Sequence, residues 1–378
     1  MQFIDLGKQY EVLKDKIDGN IKKVLDESHY IMGPEVKELE EKLANYVGRK
    51  YCAGCANGTD ALTIALKALD VKVGDAVFVP TFTFYSSSEV VSLEGATPIF
   101  VDIDEKTFNI DTKKLESAIK KAKKEKLNIK AIIAVDLFGQ PAEFDELLNI
   151  AKKYDLKVIE DAAQGFGGSI NGKMACSFGD ISTTSFFPAK PLGCYGDGGA
   201  VFTDDEELYN KITSIRIHGK GSYKYENVRV GLNSRLDTLQ AAILLPKFDA
   251  FKDYELDDRN KLAKMYTEKL KDVVTTPTVK EGYVSSWAQY TLTLNSKEER
   301  EYLQGKLKEN DIPSMIYYPI PLHKQKVYEG YNFNLDELKV SEDLCNKVLS
   351  IPMHPYMDEA QIDFITDTII KSLKEYRK

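Results

Sequence analysis

Between residues 76 and 163 short β-branched runs alternate with helical stretches, and this alternation restricts the possible folds more than any other feature of the chain. The runs are AVFVP (76–80), TPIFVDID (97–104), IKAIIAVDL (129–137) and LKVIEDAA (156–163). Helix-like segments fall between them at about 85–94, 111–125 and 143–154. Apolar strands separated by helices imply an α/β fold with a mostly parallel sheet covered on both faces. In such sheets ligands gather beyond the carboxyl ends of the strands.

The polar residues just past those ends therefore carry weight. They are Thr81, Thr83 and Phe84; Asp136 and Gln140; Asp161 and Gln164; and, past a further strand, Ser185 and Lys190. Each has a simple structural explanation of its own, and Asp161 could merely cap the segment after its strand. Lys190 is unusual in its setting, between Pro188 and Pro191 and followed by Gly193, Gly196, Gly198 and Gly199. Prolines pin the chain, and glycines allow close backbone approach.

A second signal is CANGTDALTIALKAL (55–69), in which Asn57, Gly58, Thr59 and Asp60 read as the capped start of a buried helix. Free N–H groups and the positive end of the dipole suit such a terminus to phosphate. A lysine, an aspartate and phosphate-binding loops at one sheet edge point to pyridoxal phosphate. The amine would join the cofactor aldehyde, and Asp161 would keep the pyridine nitrogen protonated.

The remaining chain is read in order. Helices are expected over 11–27 and 35–47, a strand and a helix follow the glycines (200–205 and 206–217), and loop 219–232 is basic, tyrosine-rich and expected to be mobile (Lys220, Tyr223, Lys224, Tyr225, Arg229). A long helix is expected from Asn233 and Ser234 to about Asp272, bent near Pro246. That start puts Arg235 in a first turn, where a cation opposes the dipole and needs a reason, either a salt bridge or a ligand. From about 250 a smaller α+β domain is expected, with strands at 286–294 and 313–318 and helices at 297–309 and 358–376.

Composition excludes several classes. A net charge of −8, without a basic block free of acids, argues against nucleic acid as a partner. No window has the apolar length of a bilayer span, and the first residues lack the pattern of a signal peptide. Five scattered cysteines fit reduced thiols in the cytoplasm; Cys52 and Cys55 form a CxxC with no second pair, and read as small core residues. The glycines after Lys190 are not a dinucleotide fingerprint, because strand, glycines and helix are in the wrong order.

YIMGPEV, CANGTDAL, TFTF, GATPIFVDID, VIEDAAQ, SFFPAKPLGCYGDGGA, NSRLDTLQAA and YYPIPLHKQ occur in sequence over nearly the whole chain. In these motifs the chain resembles the DegT family of pyridoxal-phosphate-dependent nucleotide-sugar aminotransferases. The resemblance implies a fold type I large domain, like that of aspartate aminotransferase, over 14–248. It implies a smaller α+β domain over 249–378 together with 1–13.

It further implies Lys190 as the Schiff-base lysine, Asp161 as the pyridinium partner, and Gln164 as a contact to the cofactor O3′. Ser185, Gly58 and Thr59 would hold the phosphate, and Phe84 would stack on the ring. In a homodimer with shared sites, Asn233 would reach the partner subunit's cofactor. Arg235, Tyr317, Tyr318 and His323 would lie toward substrate.

Within the family the chain is most similar to the type that aminates UDP-2-acetamido-2-deoxy-3-keto-glucuronate, using glutamate, for surface polysaccharides such as lipopolysaccharide. Tyr317 departs from that type, which has histidine there. The alternatives are an aminotransferase for a dTDP-3-keto-6-deoxyhexose, a dehydrating relative with histidine in place of lysine, which Lys190 argues against, and a non-enzymatic cofactor-binding regulator.

Overall fold

The computed structural model describes residues 1–223, 225–331 and 336–378. The elements, in order, are α1 (Leu6–Glu27), α2 (Pro34–Val47), β1 (Tyr51–Cys55), α3 (Gly58–Ala68), β2 (Asp75–Pro80), α4 (Ser86–Leu93), β3 (Thr97–Val101), α5 (Thr112–Lys124), β4 (Asn128–Val135), α6 (Phe144–Tyr154), β5 (Lys157–Asp161), the short pair β6 (Ser169–Ile170) and β7 (Lys173–Met174), β8 (Ile181–Ser185), β9 (Gly199–Thr203) and α7 (Glu206–Ile215). There follow α8 (Thr238–Ala250), α9 (Leu256–Leu270), β10 (Tyr283–Val284), β11 (Tyr290–Thr293), α10 (Lys297–Glu309), α11 (Lys339–Lys347), β12 (Val348–Ile351) and α12 (Glu359–Tyr376).

The central sheet has seven strands in the order β1-β9-β8-β5-β4-β2-β3. β3, β2, β4, β5 and β8 run parallel, and β9 is antiparallel to both neighbours. Alternation along β2 shows how the sheet is covered. Val77 and Val79 face one core with Leu62 and Ile64 of α3 and Val90 of α4, while Ala76 and Phe78 face another with Leu115 and Ile119 of α5 and Phe144 and Leu147 of α6. Strands buried on both faces cannot carry a polar stripe, which is why these runs read as continuously apolar. Phe78 is fully buried, and its truncation to alanine would cost about 3–5 kcal/mol.

A separate core lies in the C-terminal part, where α9, α10 and α12 pack around the β11–β12 pair through Tyr266, Tyr290, Leu303, Leu349 and Ile365. The expected strand at 313–318 is not formed. Met315 alone in that stretch makes an antiparallel bridge, to Ser350 on the edge of β12 opposite β11, and Pro313 and Pro319 lack the N–H groups that a longer ladder would use.

The long helix also starts later than its sequence suggests. Asp237 precedes α8, while Ser234 turns its hydroxyl to the Ala56 N–H and Asn233 pairs with Ile217, so Arg235 lies ahead of the helix. The helix passes through Pro246, and the irregularity is a π-helical turn at Phe251–Glu255. Pro246 has no N–H for the carbonyl of Ala242. The Asn20 side chain of α1 donates to that carbonyl instead, at 3.0 Å. The residue after Pro246, Lys247, is 1% exposed and, among the described residues, without a hydrogen-bond acceptor, its ammonium 4.6 Å from the centre of the Tyr195 ring. Burial pulls this lysine down to about 8.

Candidate active site

The parallel register brings Val135, Asp161 and Thr183 into one row across β4, β5 and β8, at their carboxyl ends. Asp161 ends β5 and is 4% exposed. Ser87, in the first turn of α4, donates to its Oδ2 at 3.0 Å, and the Ala163 N–H to Oδ1 at 3.2 Å. Burial raises the carboxyl above its usual range, and the Ala163 N–H, Lys190 and Ser87 oppose that rise. Lys190 is the cation in electrostatic contact with it. Desolvation lowers the lysine below its ordinary value, more than the attraction of Asp161 raises it. Such an amine is easier to deprotonate than a solvated one, as nucleophilic and acid-base chemistry requires.

The loop carrying Lys190 is folded tightly on itself. Its N–H donates to Phe187 O at 2.8 Å, and Cys194 N–H returns to Phe186 O at 2.8 Å. A side chain at 193 would lie 2.4 Å from Pro188 O, so this glycine is required by close approach.

Beside this loop α3 begins. Asn57 caps it by accepting from the Asp60 N–H at 2.8 Å, and the helical ladder starts only at Ala61, leaving the N–H groups of Gly58 and Thr59 without helical partners. A Cβ at 58 would sit 2.7 Å from Ser185 Cβ. The helix terminus and the Ser185 hydroxyl therefore meet in a cradle that a larger residue would fill.

Gln164 follows in the turn after β5. Its Oε1 accepts from Phe138 N–H at 2.8 Å, its Nε2 donates to the Tyr318 hydroxyl at 3.1 Å, and Ser286 holds its carbonyl at 2.7 Å. The Tyr318 ring packs near Phe82 and Phe84, and Phe84 stays 55% exposed. Tyr317 is half-buried, edge-on to Phe3.

Several residues expected at the site serve elsewhere. His323 has both ring nitrogens engaged within the subunit, Nδ1 with Thr81 Oγ1 at 2.7 Å and Nε2 with Glu342 at 3.0 Å, so it ties the 322–324 turn to β2 and leaves no nitrogen free for substrate. Gln140 braces Thr278 and Lys280. Asp136 is fully buried behind the sheet. Thr83, by contrast, stays beside the site, its hydroxyl 3.4 Å from that of Ser87.

Arg235 donates to the Asn233 side chain, and among the described residues no carboxylate pairs with it. Asn233 itself is exposed. In the preceding loop Lys224 lies outside the described residues. Ser87 was not legible as a site residue; its only signal was its place two residues past Tyr85, on the helix that follows a strand end.

These groups fit pyridoxal phosphate: N–H donors at 58 and 59 and a hydroxyl at 185 for the phosphate, an amine for the aldehyde, and a carboxylate for the ring nitrogen. Together with the sheet, they make the protein a fold type I pyridoxal-phosphate enzyme. The chain belongs to the DegT/DnrJ/EryC1/StrS aminotransferase family, whose model matches residues 11–370.

It is 49% identical over 366 residues to the UDP-2-acetamido-2-deoxy-3-oxo-D-glucuronate aminotransferase of Pseudomonas aeruginosa, covering 97% of this chain and 98% of that protein. The crystal structure of a DegT DnrJ EryC1 StrS aminotransferase from Brucella abortus superposes with a TM-score of 0.95 at 48% identity, covering 98% of each chain. A Bacillus subtilis structure with bound cofactor PMP, the amine form of the same cofactor, superposes at 0.87 with 30% identity, covering 98% of this chain and 83% of that one.

Proposed function

We propose that this enzyme transfers an amino group from glutamate to the 3-keto carbon of a UDP-linked 2-acetamido hexuluronate, in the cytoplasm, for surface polysaccharide synthesis. The observation that carries the reading is a buried Asp161, held by Ser87 and the Ala163 N–H within electrostatic reach of Lys190, in a chain 49% identical along almost its whole length to an enzyme named for such a sugar. Bound at this site, pyridoxal phosphate supplies the electron sink that makes a proton on the carbon bearing nitrogen acidic.

The residues divide the remaining work. Asp161, oriented by Ser87 and the Ala163 N–H, would pair with the ring nitrogen and favour its protonated form. Gly58, Thr59 and Ser185 would hold the phosphate, Phe84 would stack on the ring, and the remaining amide hydrogen of Gln164 would be available to the cofactor hydroxyl. Lys190 Nζ takes the proton from substrate carbon and returns it. Tyr317 and Tyr318 line the substrate side.

Arg235, a cation with no acid partner among the described residues, suits a carboxylate, which its fork binds in two places. The exposed Tyr30, Ile31, Phe84, Phe187, Val228 and Val230 support a homodimer that covers them, with Asn233 reaching the partner's site. The C-terminal core around Tyr266, Tyr290, Leu303, Leu349 and Ile365, drawn only from residues past 249, supports a division into 14–248 and 249–378 with 1–13.

The test is a panel of ketosugars offered with pyridoxal phosphate and glutamate, with products read by mass spectrometry. Amination of the UDP-linked 3-keto hexuluronate is expected. Product from a dTDP-3-keto-6-deoxyhexose alone would overturn the substrate, and a cofactor spectrum unmoved by glutamate would overturn the reaction.

A further inference from the structure

Behind Asp161 lies a second buried acid group that the chemistry above does not use. Successive residues of a strand face opposite sides of the sheet, so Glu160 points away from Lys190. Asp136, just past β4, donates its N–H to the Asp161 carbonyl at 3.0 Å and shares the rear face with Glu160. Both side chains are fully buried and close enough that each shifts the ionisation of the other. Two carboxylates in that position repel, and neither can hydrogen bond to the other without a proton.

Their other partners decide where the proton sits. Glu160 accepts from Cys176 N–H on Oε1 and Phe178 N–H on Oε2, both at 2.8 Å. Among the described residues Asp136 accepts only from Ala142 N–H, on Oδ1 at 3.0 Å, and its Oδ2 meets no donor. That Oδ2 lies against Gly165, where a Cβ would come within 2.5 Å of it. Gly165 belongs to the turn that also presents the Ala163 N–H to Asp161 and Gln164 to the site.

We infer that Asp136 is protonated in the folded enzyme and donates from Oδ2 to the Glu160 carboxylate. The pair then bears a single negative charge and seats the 162–168 turn, so that Asp136 and Glu160 are positioning residues for Asp161 and Gln164. The inference rests on the reading that these two face the cofactor.

Burial first, and Glu160 second, raise the Asp136 carboxyl well above its usual range; burial raises Glu160 as well, against its N–H donors. The other titratable groups around the pair are Asp161, Cys176 and, from β10, Tyr283. Arg49 is close by, but its donors go to Asp204, Ser182 and the carbonyls of Cys176, Phe178 and Gly179.

The test compares holoenzymes carrying Asp136→Asn, Asp136→Ala and Glu160→Gln. An asparagine keeps an acceptor for Ala142 and a donor for Glu160, so its Tm should stay within about 2 °C of wild type near neutral pH. Glu160→Gln turns an amide donor toward a backbone N–H, and Asp136→Ala removes the clamp. Each should lower Tm and weaken pyridoxal phosphate binding by about tenfold or more, and asparagine should restore that affinity.

The sign with pH follows from the raised carboxyl. A group whose folded value is raised contributes most below its unfolded value, about 3.9, and loses that contribution as pH rises. Wild-type Tm should therefore fall relative to Asp136→Asn as pH increases. Infrared difference spectra at pH 8 should show the protonated carboxyl stretch in wild type and not in Asp136→Asn.

Absence of that band would overturn the protonation, as would an asparagine variant as damaged as the alanine variant. Unchanged cofactor affinity in Asp136→Ala would overturn the positioning role. Turnover by Lys190→Ala would overturn the functional reading instead, and would leave the infrared result standing.

Discussion

Lys190 and Lys247 are both lysines taken out of water, and the chain treats them in opposite ways. Burial lowers the ammonium of each. Lys190 lies in a glycine-rich loop at the sheet edge, half-buried, with a carboxylate opposite. Lys247 lies inside α8 against an aromatic face, nearly inaccessible, with no acceptor for its protons among the described residues. Desolvation alone therefore does not make a reactive amine. What distinguishes the first is access from solvent and a fixed counter-charge.

Substitutions can break or sharpen this contrast. Lys190→Ala should remove transamination, by about 10⁴-fold or more, while circular dichroism and melting show an intact fold; retained turnover would end the contrast. Asp161→Asn should lower kcat by about 10²–10³-fold, as loss of one fixed electrostatic partner does. A smaller loss than that from Lys247→Met would erase the distinction drawn from counter-charge.

Gly58→Ala pushes a methyl into Ser185, and should weaken pyridoxal phosphate binding by about tenfold in a spectroscopic titration. Arg235→Ala should raise KM for the carboxylated sugar or for glutamate by about tenfold with kcat nearly kept. An unchanged KM for both would return the arginine to a structural role.

The smallest effect is expected at Lys247→Met, with activity retained and Tm unchanged or raised by about 1–3 °C near neutral pH. A lysine held at about 8 is charged below that value and costs the fold there. Wild type sheds this cost as pH climbs toward the unfolded value of about 10.4. The advantage of the methionine variant should shrink over that interval, and constancy across it would show that the lysine keeps its charge on folding.

The parts of the fold legible in the sequence are those set by local chemistry. β2 to β5 are short apolar runs bounded by turns, and the capped start of α3 is written in Asn57 and Asp60. What escaped depends on distant partners. β1 and β12 carry no pattern that says which strand they join, and 313–318 reads as a strand although it meets β12 through a single bridge at Met315. Asn233 and Ser234 have the chemistry of helix caps, yet contacts with Ile217 and Ala56 claim them first. At the site, Lys190, Asp161, Gly58 and Ser185 were visible because they sit just past strands or at a helix start. Ser87 was hidden among three serines, and the roles of His323, Asp136 and Gln140 are fixed by groups far along the chain.

The bond from Asn20 to the Ala242 carbonyl joins positions 222 residues apart. Helix α1 leaves the ribosome early, but the carbonyl it completes is made much later. At about 5–20 residues per second the gap is roughly 10–45 s. Throughout that interval Leu13 and Ile17 have no Ile243 or Ala250 of α8 to cover them. Synthesis speed and early chaperone contact thus become variables in how much of this enzyme matures, although neither touches its finished structure.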